Sequence, residues 1–374
     1  MSSLTPMPLL RSRSILLGLV VALAPLAACS DDLDGDEPSA VVAEPGVRQD
    51  AAELTAEQAA AFVAAVRLLQ TTPAPGAESM SWYSMFVDWH RQAFSCELAR
   101  GAVGAAHNSP LFLPWHREFL IRYETALQQV SGDPMIRLPY WDWTDESSTA
   151  AVFSDALMGG DGDPDEGYAV TSGPFAKGVY ELTVLDPEVV QETIAPQTDY
   201  LVRRFGVMPD GATMSLPTAD EVLGALGVDR YDGVPWDATA DPSRSFRNHI
   251  EGWDEALPPD CTNGWQNISE HAGAAHNLHN GVHMWVGGLW EDEAGAMHGG
   301  TMLYNTSPND PVFFLHHANI DRLWAEWQEQ HGLTFPADAA GYSPASTMWP
   351  WFDRTIASLE STLDLGYRYD TADA

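Results

Sequence analysis

Apolar residues recur along this chain at helical spacing in several separate stretches. Thr55-Ala56-Glu57-Gln58 has the form of a capping box, and Phe62, Val63, Val66 and Leu69 follow it on one helical face. The Pro-containing stretch from Thr71 to Gly76 ends that helix. A second helical pattern runs from about Ser79 to Phe94, with Trp82, Phe86 and Trp89 on its apolar side and His90 one turn past Phe86. Pro110 and Pro114 bracket a short extended piece. A third helix is expected from about Trp115, where His116, Leu120, Tyr123 and Leu127 share a face. Leu138 to Thr144 is aromatic and reads as packing. From about 145 to 245 the chain is rich in Gly, Pro and Asp, and only Thr218 to Leu226 reads as a capped helix. Loops of that length usually build a functional surface. Helix resumes from Phe246 to Trp253, and a polar excursion fills 254–275. A helix carrying His279 and His283 follows, then another that starts after Pro311. The fold class this predicts is mainly α, a bundle with its site between facing helices.

The apolar fraction, 45% of 374 residues, is ordinary for a chain with a sizeable core. The charge is not: 18 basic against 53 acidic residues, net −35. Such a surface repels nucleic acid and anionic lipid headgroups, and it leaves a small neutral molecule unhindered. At the N-terminus, Arg11 and Arg13 precede an apolar run from Ile15 to Leu26, too short to span a membrane. The run ends Leu26-Ala27-Ala28-Cys29, which resembles a bacterial lipoprotein signal with cleavage before Cys29 and the lipid on Cys29. The expected organisation is a signal peptide over 1–28, a flexible acidic tether over 29–45 and one folded domain over 46–374. The expected location is the bacterial cell envelope, held by that lipid, or the exterior if the signal is an ordinary secretory one. In that oxidising context Cys96 and Cys261 are expected to form a disulfide.

Twelve histidines remain, and each alone would pass for a packing or surface residue. Their grouping changes that. His90, His107 and His116 fall within 27 residues, and His279, His283 and His317 within 39. His279 and His283 are four apart and project from one helical face. Phe313, His317 and Asp321 share another, so Asp321 is placed to orient a ligand from behind. Three neutral imidazoles per metal leave a coordination position open for a small molecule. A bundle di-iron site needs Glu-x-x-His pairs, which these helices lack. A zinc peptidase needs His-Glu-x-x-His, and Asn280 stands where that Glu would be. All-imidazole ligation at two adjacent metals favours copper.

Three long motifs carry a resemblance. They are His107-x8-His116 within Leu113-Pro114-Trp115-His116-Arg117; Asn277-Leu278-His279-Asn280-x2-His283-x-Trp285-Val286-Gly287-Gly288; and Ser307-Pro308-Asn309-Asp310-Pro311-Val312-Phe313-Phe314-Leu315-His316-His317. Together they resemble the bacterial tyrosinase family, in order, over about Arg48 to Tyr369. The resemblance implies a four-helix bundle holding two copper ions, with O2 as co-substrate. His90, His107 and His116 would hold one copper, and His279, His283 and His317 the other. His316 would point away into packing or supporting contacts, Phe313 would pack on the ligand rings, and Met284 either sits at a gate or packs on its helix neighbours.

The implied reaction is ortho-hydroxylation of a small phenolic substrate and oxidation of the diphenol to a quinone. A Glu and an Asn of the family hold a water that takes the phenol proton. Asn280 fits the Asn, and Glu251, in Phe246-Arg247-Asn248-His249-Ile250-Glu251-Gly252-Trp253, is the choice for the Glu. An apparent insertion over 254–275 puts Glu251 28 residues before His279, and Glu270 is the alternative. A catechol oxidase or o-aminophenol oxidase without hydroxylation, and a dioxygen carrier, are the other readings. Arg48 and the Tyr367-x-Tyr369 pair match a signature in which the arginine stacks between the chain ends. With no shielding domain after Tyr369, the site is expected to be open or covered by a separate partner; a copper-delivery partner is also expected. His249, His271, His276, His298 and His331 read as non-ligands.

Overall fold

The computed structural model describes residues 44–94, 106–183, 198–209, 211–252, 278–332 and 335–373. At Thr55 the hydroxyl accepts from Gln58 N and the Gln58 side chain accepts from Thr55 N, closing the capping box that starts α1, Ala56–Thr71. The expected second helix begins later than its periodicity suggests. Ala77–Ser81 is a strand, paired with Pro73–Ala74 in a small hairpin, and α2 spans Trp82–Phe94. The third begins earlier: α3 is Phe112–Ser131, with Pro114 inside its first turn. Proline is tolerated there because the first N–H groups of a helix have no intrahelical acceptor.

The described residues of 145–245 are mostly loop with short pieces, among them α4, Glu146–Val152, and α5, Ala219–Leu226, the latter closed by a Thr218 capping box as expected. The next helix, α6, is only Phe246–Glu251. It stops because Gly252 turns left-handed at φ 93°, which glycine adopts without strain. Then come α7, His279–Gly287, and α8, Val312–His331. The bundle is α2, α3, α7 and α8. Helix α3 packs along α8, α7 packs on α8, and α1 lies across α2 and α3. Phe119 of α3 stacks on Phe314 of α8 with ring centroids 5.7 Å apart. Among the described residues, no helix is long and apolar enough to cross a membrane.

A parallel pair of short strands, Gly46–Arg48 and Tyr367–Tyr369, closes the domain with Arg48 opposite Tyr369. The Arg48 guanidinium is buried 3.8 Å over the Tyr367 ring, as the resemblance implied. It donates to Glu124 at 3.0 Å and to Asp321 at 3.3 Å. Asp321 also accepts from Arg117 at 2.5 Å, Tyr367 at 2.6 Å and Tyr369 at 2.7 Å. Burial alone would raise the Asp321 pKa, but Arg117, Arg48 and the two tyrosine hydroxyls hold it below the usual carboxylate range. This corrects the expectation for Asp321. Its oxygens are committed to a buried ionic knot that ties both ends of the domain to α3 and α8, not to a histidine.

Candidate metal centre

Each bundle helix brings histidine toward one point. His90 lies on α2 and His116 on α3. His107 comes from the loop just before α3, and its ring centroid lies 5.1 Å from that of His90 and 4.9 Å from that of His116. His279 and His283 extend from α7 to meet His317 of α8. The Nε2 atom of His317 is 3.2 Å from that of His279 and 3.4 Å from that of His283. The two clusters touch: His116 and His317 stack with centroids 4.2 Å apart, and His107 lies 5.7 Å from His279.

The far side of four rings is fixed. His90 Nδ1 lies 2.6 Å from the Asn305 carbonyl, His116 Nδ1 2.8 Å from the Phe112 carbonyl and His283 Nδ1 2.7 Å from the Met302 carbonyl. His279 Nδ1 lies 2.9 Å from Asn280 Oδ1. A carbonyl only accepts, so each Nδ1 carries the proton and each Nε2 presents a lone pair to the centre. The lone pairs of His279 and His283 converge on His317 Nε2 within 3.2–3.4 Å, and His317 Nδ1 has no partner, so a cation between the three rings suits all of them. His116 Nε2 is buried with no hydrogen-bond partner. Burial drives the imidazoles toward the neutral form: the pKa falls to about 3 for His90 and about 4 for His283. For His107, His116, His279 and His317 it falls well below the ordinary value, with burial first and neighbouring imidazoles adding. Neutral imidazole is the ligand form. The donor set therefore fits two metal ions, with at least three nitrogens for each.

Phe313, expected against the ligand rings, lies 4.1 Å from His317 and 4.9 Å from His90, centroid to centroid. His316 makes packing contacts, as expected, but stays in the cluster. It does not point away: it stacks on His279 at 5.2 Å, meets His283 at 4.8 Å and rests on Trp143. It is fully buried, neither of its ring nitrogens has a hydrogen-bond partner, and it joins the second cluster as a fourth candidate donor. The Met284 side chain is buried in a small cluster with Met208, Leu289 and Leu303, so packing rather than a gate describes its contacts.

Glu251 is fully buried. Its Oε1 accepts from the backbone N–H of Asn108 at 2.7 Å, and its Oε2 accepts from Arg247 at 3.0 Å. Asn108 reaches it from a left-handed φ of 54°, so Glu251 holds the loop that carries His107. On α7, Asn280 uses its oxygen on His279 and leaves a buried Nδ2 with no partner. Asn108, Phe112 and the carbonyls of Met302 and Asn305 were not singled out from the sequence; of these only Phe112, an aromatic one turn before His116, leaves a sequence signal. Of the expected non-ligands, His298 pairs with Asp292 at 2.8 Å and His331 with the Leu226 carbonyl at 2.8 Å, and His249 is in neither cluster. Cys29, Cys96, Cys261, Glu270, His271 and His276 lie outside the described residues.

The family model described as the common central domain of tyrosinase matches residues 80–330. The chain belongs to the tyrosinase family. Within the family it is 38% identical over 321 residues to a tyrosinase of Streptomyces lincolnensis, covering 84% of this chain and 95% of that protein. It is 34% identical over 337 residues to the grixazone synthase of Streptomyces griseus, with the same coverage. A polyphenol oxidase structure from Thermothelomyces thermophila superposes with a TM-score of 0.55 at 25% identity, covering 87% of this chain and 88% of that one. In a tyrosinase-family protein the two clusters are the binuclear copper site, and O2 is the usual co-substrate.

Proposed function

We propose that this protein is a tyrosinase, which uses O2 to hydroxylate a small phenol at the ortho position and to oxidise the resulting diphenol to an o-quinone. The observation that carries this reading is the stacking of His116 on His317, which sets a cluster of three histidines face to face with a cluster of four in one buried site. Copper bound there supplies the electron transfer to and from O2, which no side chain of the site can supply. The protein supplies orientation, neutral ligands and a route for the substrate proton. A free phenol has a pKa of about 10 and binds a metal well only after losing its proton. Glu251 and Asn280 are the pair for that step. The free Asn280 Nδ2 is a donor for a water, and Glu251, beside the His107 loop, is the base that such a water relays to. His90, His107 and His116 are the ligands of the first copper, and His279, His283 and His317 those of the second. Phe313 walls the ligand rings on the α8 side.

The reading extends to the cell. The pattern at Leu26 to Cys29 supports export and a lipid on Cys29, with 29–45 as tether and 46–374 as the catalytic domain. A Cys96–Cys261 disulfide belongs to the same exported state, and a copper-delivery or site-shielding protein completes it. Oxygen uptake by the copper-loaded protein, with a monophenol and a catechol side by side, tests the function. Uptake on both with quinone formed is expected. Uptake on the catechol alone would reduce the activity to catechol oxidation, and reversible O2 binding without turnover would make the protein a carrier.

A further inference from the structure

Beside the second histidine cluster lies a small apolar cluster of unusual composition. Its buried members are Met208, Met284, Leu289 and Leu303, and Met214 and Met297 pack against it from half-buried positions. A third of the twelve methionines of the chain thus meet at one place. Methionine is a common gap filler, but leucine fills such space as well and costs less side-chain entropy.

The backbone holds these thioethers against the helix of the second site. Gly206 N donates to the Trp285 carbonyl at 2.7 Å, and Leu289 N donates to the Val207 carbonyl at 2.8 Å. The hairpin bearing Met208 and Met214 is thereby clamped to the end of α7. Met284 follows His283 directly on that helix. Met297 enters from the strand Met297–Gly299, opposite Glu291 of the strand Leu289–Glu291. The aromatic side of this strand pair, where Trp290 stacks on His298, faces the other way. Two thioethers are thus within reach of solvent, two are buried, and the buried pair ends one residue from a metal-ligating histidine. Glu291 and the net charge of −35 favour a cation on this side. Thioether sulfur is a soft ligand that selects Cu(I) over harder cations.

We propose that Met208, Met214, Met284 and Met297 form a Cu(I)-binding site that takes up copper at the surface and passes it to His279, His283 and His317. The step is ligand exchange: sulfur–copper bonds break as nitrogen–copper bonds form, and the oxidation state does not change. It rests on the copper assignment of the histidine clusters.

The test uses the triple variant Met208→Leu/Met214→Leu/Met297→Leu, which conserves volume and leaves Met284 in place. With the histidine sites already filled, wild-type protein is titrated anaerobically with Cu(I) against a chromophoric Cu(I) chelator, and with Ag(I) as a redox-silent probe. About one further equivalent bound by wild type and none by the variant is expected, with sulfur scattering at the bound ion. Starting from metal-free protein, filling of the histidine sites by Cu(I) should slow about tenfold in the variant while filling by Cu(II) keeps its rate, and both proteins should reach the same final turnover. If the triple variant does not fold, Met214→Leu/Met297→Leu at the half-exposed positions carries the same comparison. No extra Cu(I) on wild type, or equal slowing with Cu(I) and Cu(II), would overturn the proposal. The titration of filled protein involves no phenol, so its outcome stands apart from that of the oxidase assay.

Discussion

The backbone N–H of Asn108 donates to Glu251 Oε1 at 2.7 Å, which ties the candidate base to the residue next to a copper ligand. Glu251→Gln keeps an oxygen that can accept this bond and removes the basicity. Monophenol kcat/KM should fall about 100-fold and catechol kcat/KM less than about tenfold, since a positioned base contributes on that scale only where a proton must be removed. Steady-state kinetics on both substrates decide it, and matching losses would reduce Glu251 to a brace for the His107 loop.

Asn280 has two separable jobs. Its oxygen fixes the His279 tautomer and its amide nitrogen is free to hold a water. Asn280→Ala should weaken copper at the second site about 10- to 100-fold, the usual cost of losing a ligand's orienting partner. Asn280→Asp should restore copper affinity, because a carboxylate still accepts from His279, without restoring monophenol hydroxylation. Chelator competition and phenol turnover, run together, separate the two.

The His316–His317 doublet is resolved by copper counting. His317→Ala should leave about one copper per protein and abolish turnover, while His316→Phe, which refills the space against Trp143 and His279, should retain both metals. Loss of one copper from the His316 variant instead would make it the ligand.

Acid should destabilise the metal-free protein through these same rings. Unfolded histidines take up protons below about pH 6.5. In the folded chain burial delays uptake to about pH 3 at His90 and about pH 4 at His283. The unfolded state therefore binds more protons throughout that window, and folding stability falls as pH drops through it. Urea midpoints of the metal-free protein should be flat above about pH 7 and decline steadily toward pH 4; a midpoint unchanged down to pH 4 would contradict the burial.

Arg48→Met should destabilise the domain by about 3 kcal/mol, because it strips one cation from the buried carboxylates of Asp321 and Glu124. Chemical denaturation measures it, and a loss below about 1 kcal/mol would mean the knot is held by Arg117 alone.

Much of the site was legible because it is written locally. The four-residue spacing of His279 and His283 and the Pro311 break before α8 each state a helix and a face within one stretch. Asp321 shows where such reading stops. Its spacing from His317 placed it correctly on α8, but its partners, Arg117 and Arg48, lie 204 and 273 residues away. His316 shows a related limit: its packing on Trp143 is of the kind expected, but its approach to His279 and His283 depends on how the bundle closes. The end of the strand Ala77–Ser81, from Ser79, was absorbed into a helix because its residues carry no alternation of their own and gain strand character only by pairing with Pro73–Ala74.

Three of the four acceptors that aim the imidazoles are main-chain carbonyls, at Phe112, Met302 and Asn305. Every amino acid brings the same carbonyl, so no substitution at those positions deletes the acceptor; only a shift of the chain can. These hydrogen bonds therefore ask nothing of the side chains at 302 and 305, only that the path of the backbone between α7 and α8 is kept; Met302 answers separately to the core in which it is buried. What descent must preserve to keep these imidazoles aimed is a curve in space and not a letter.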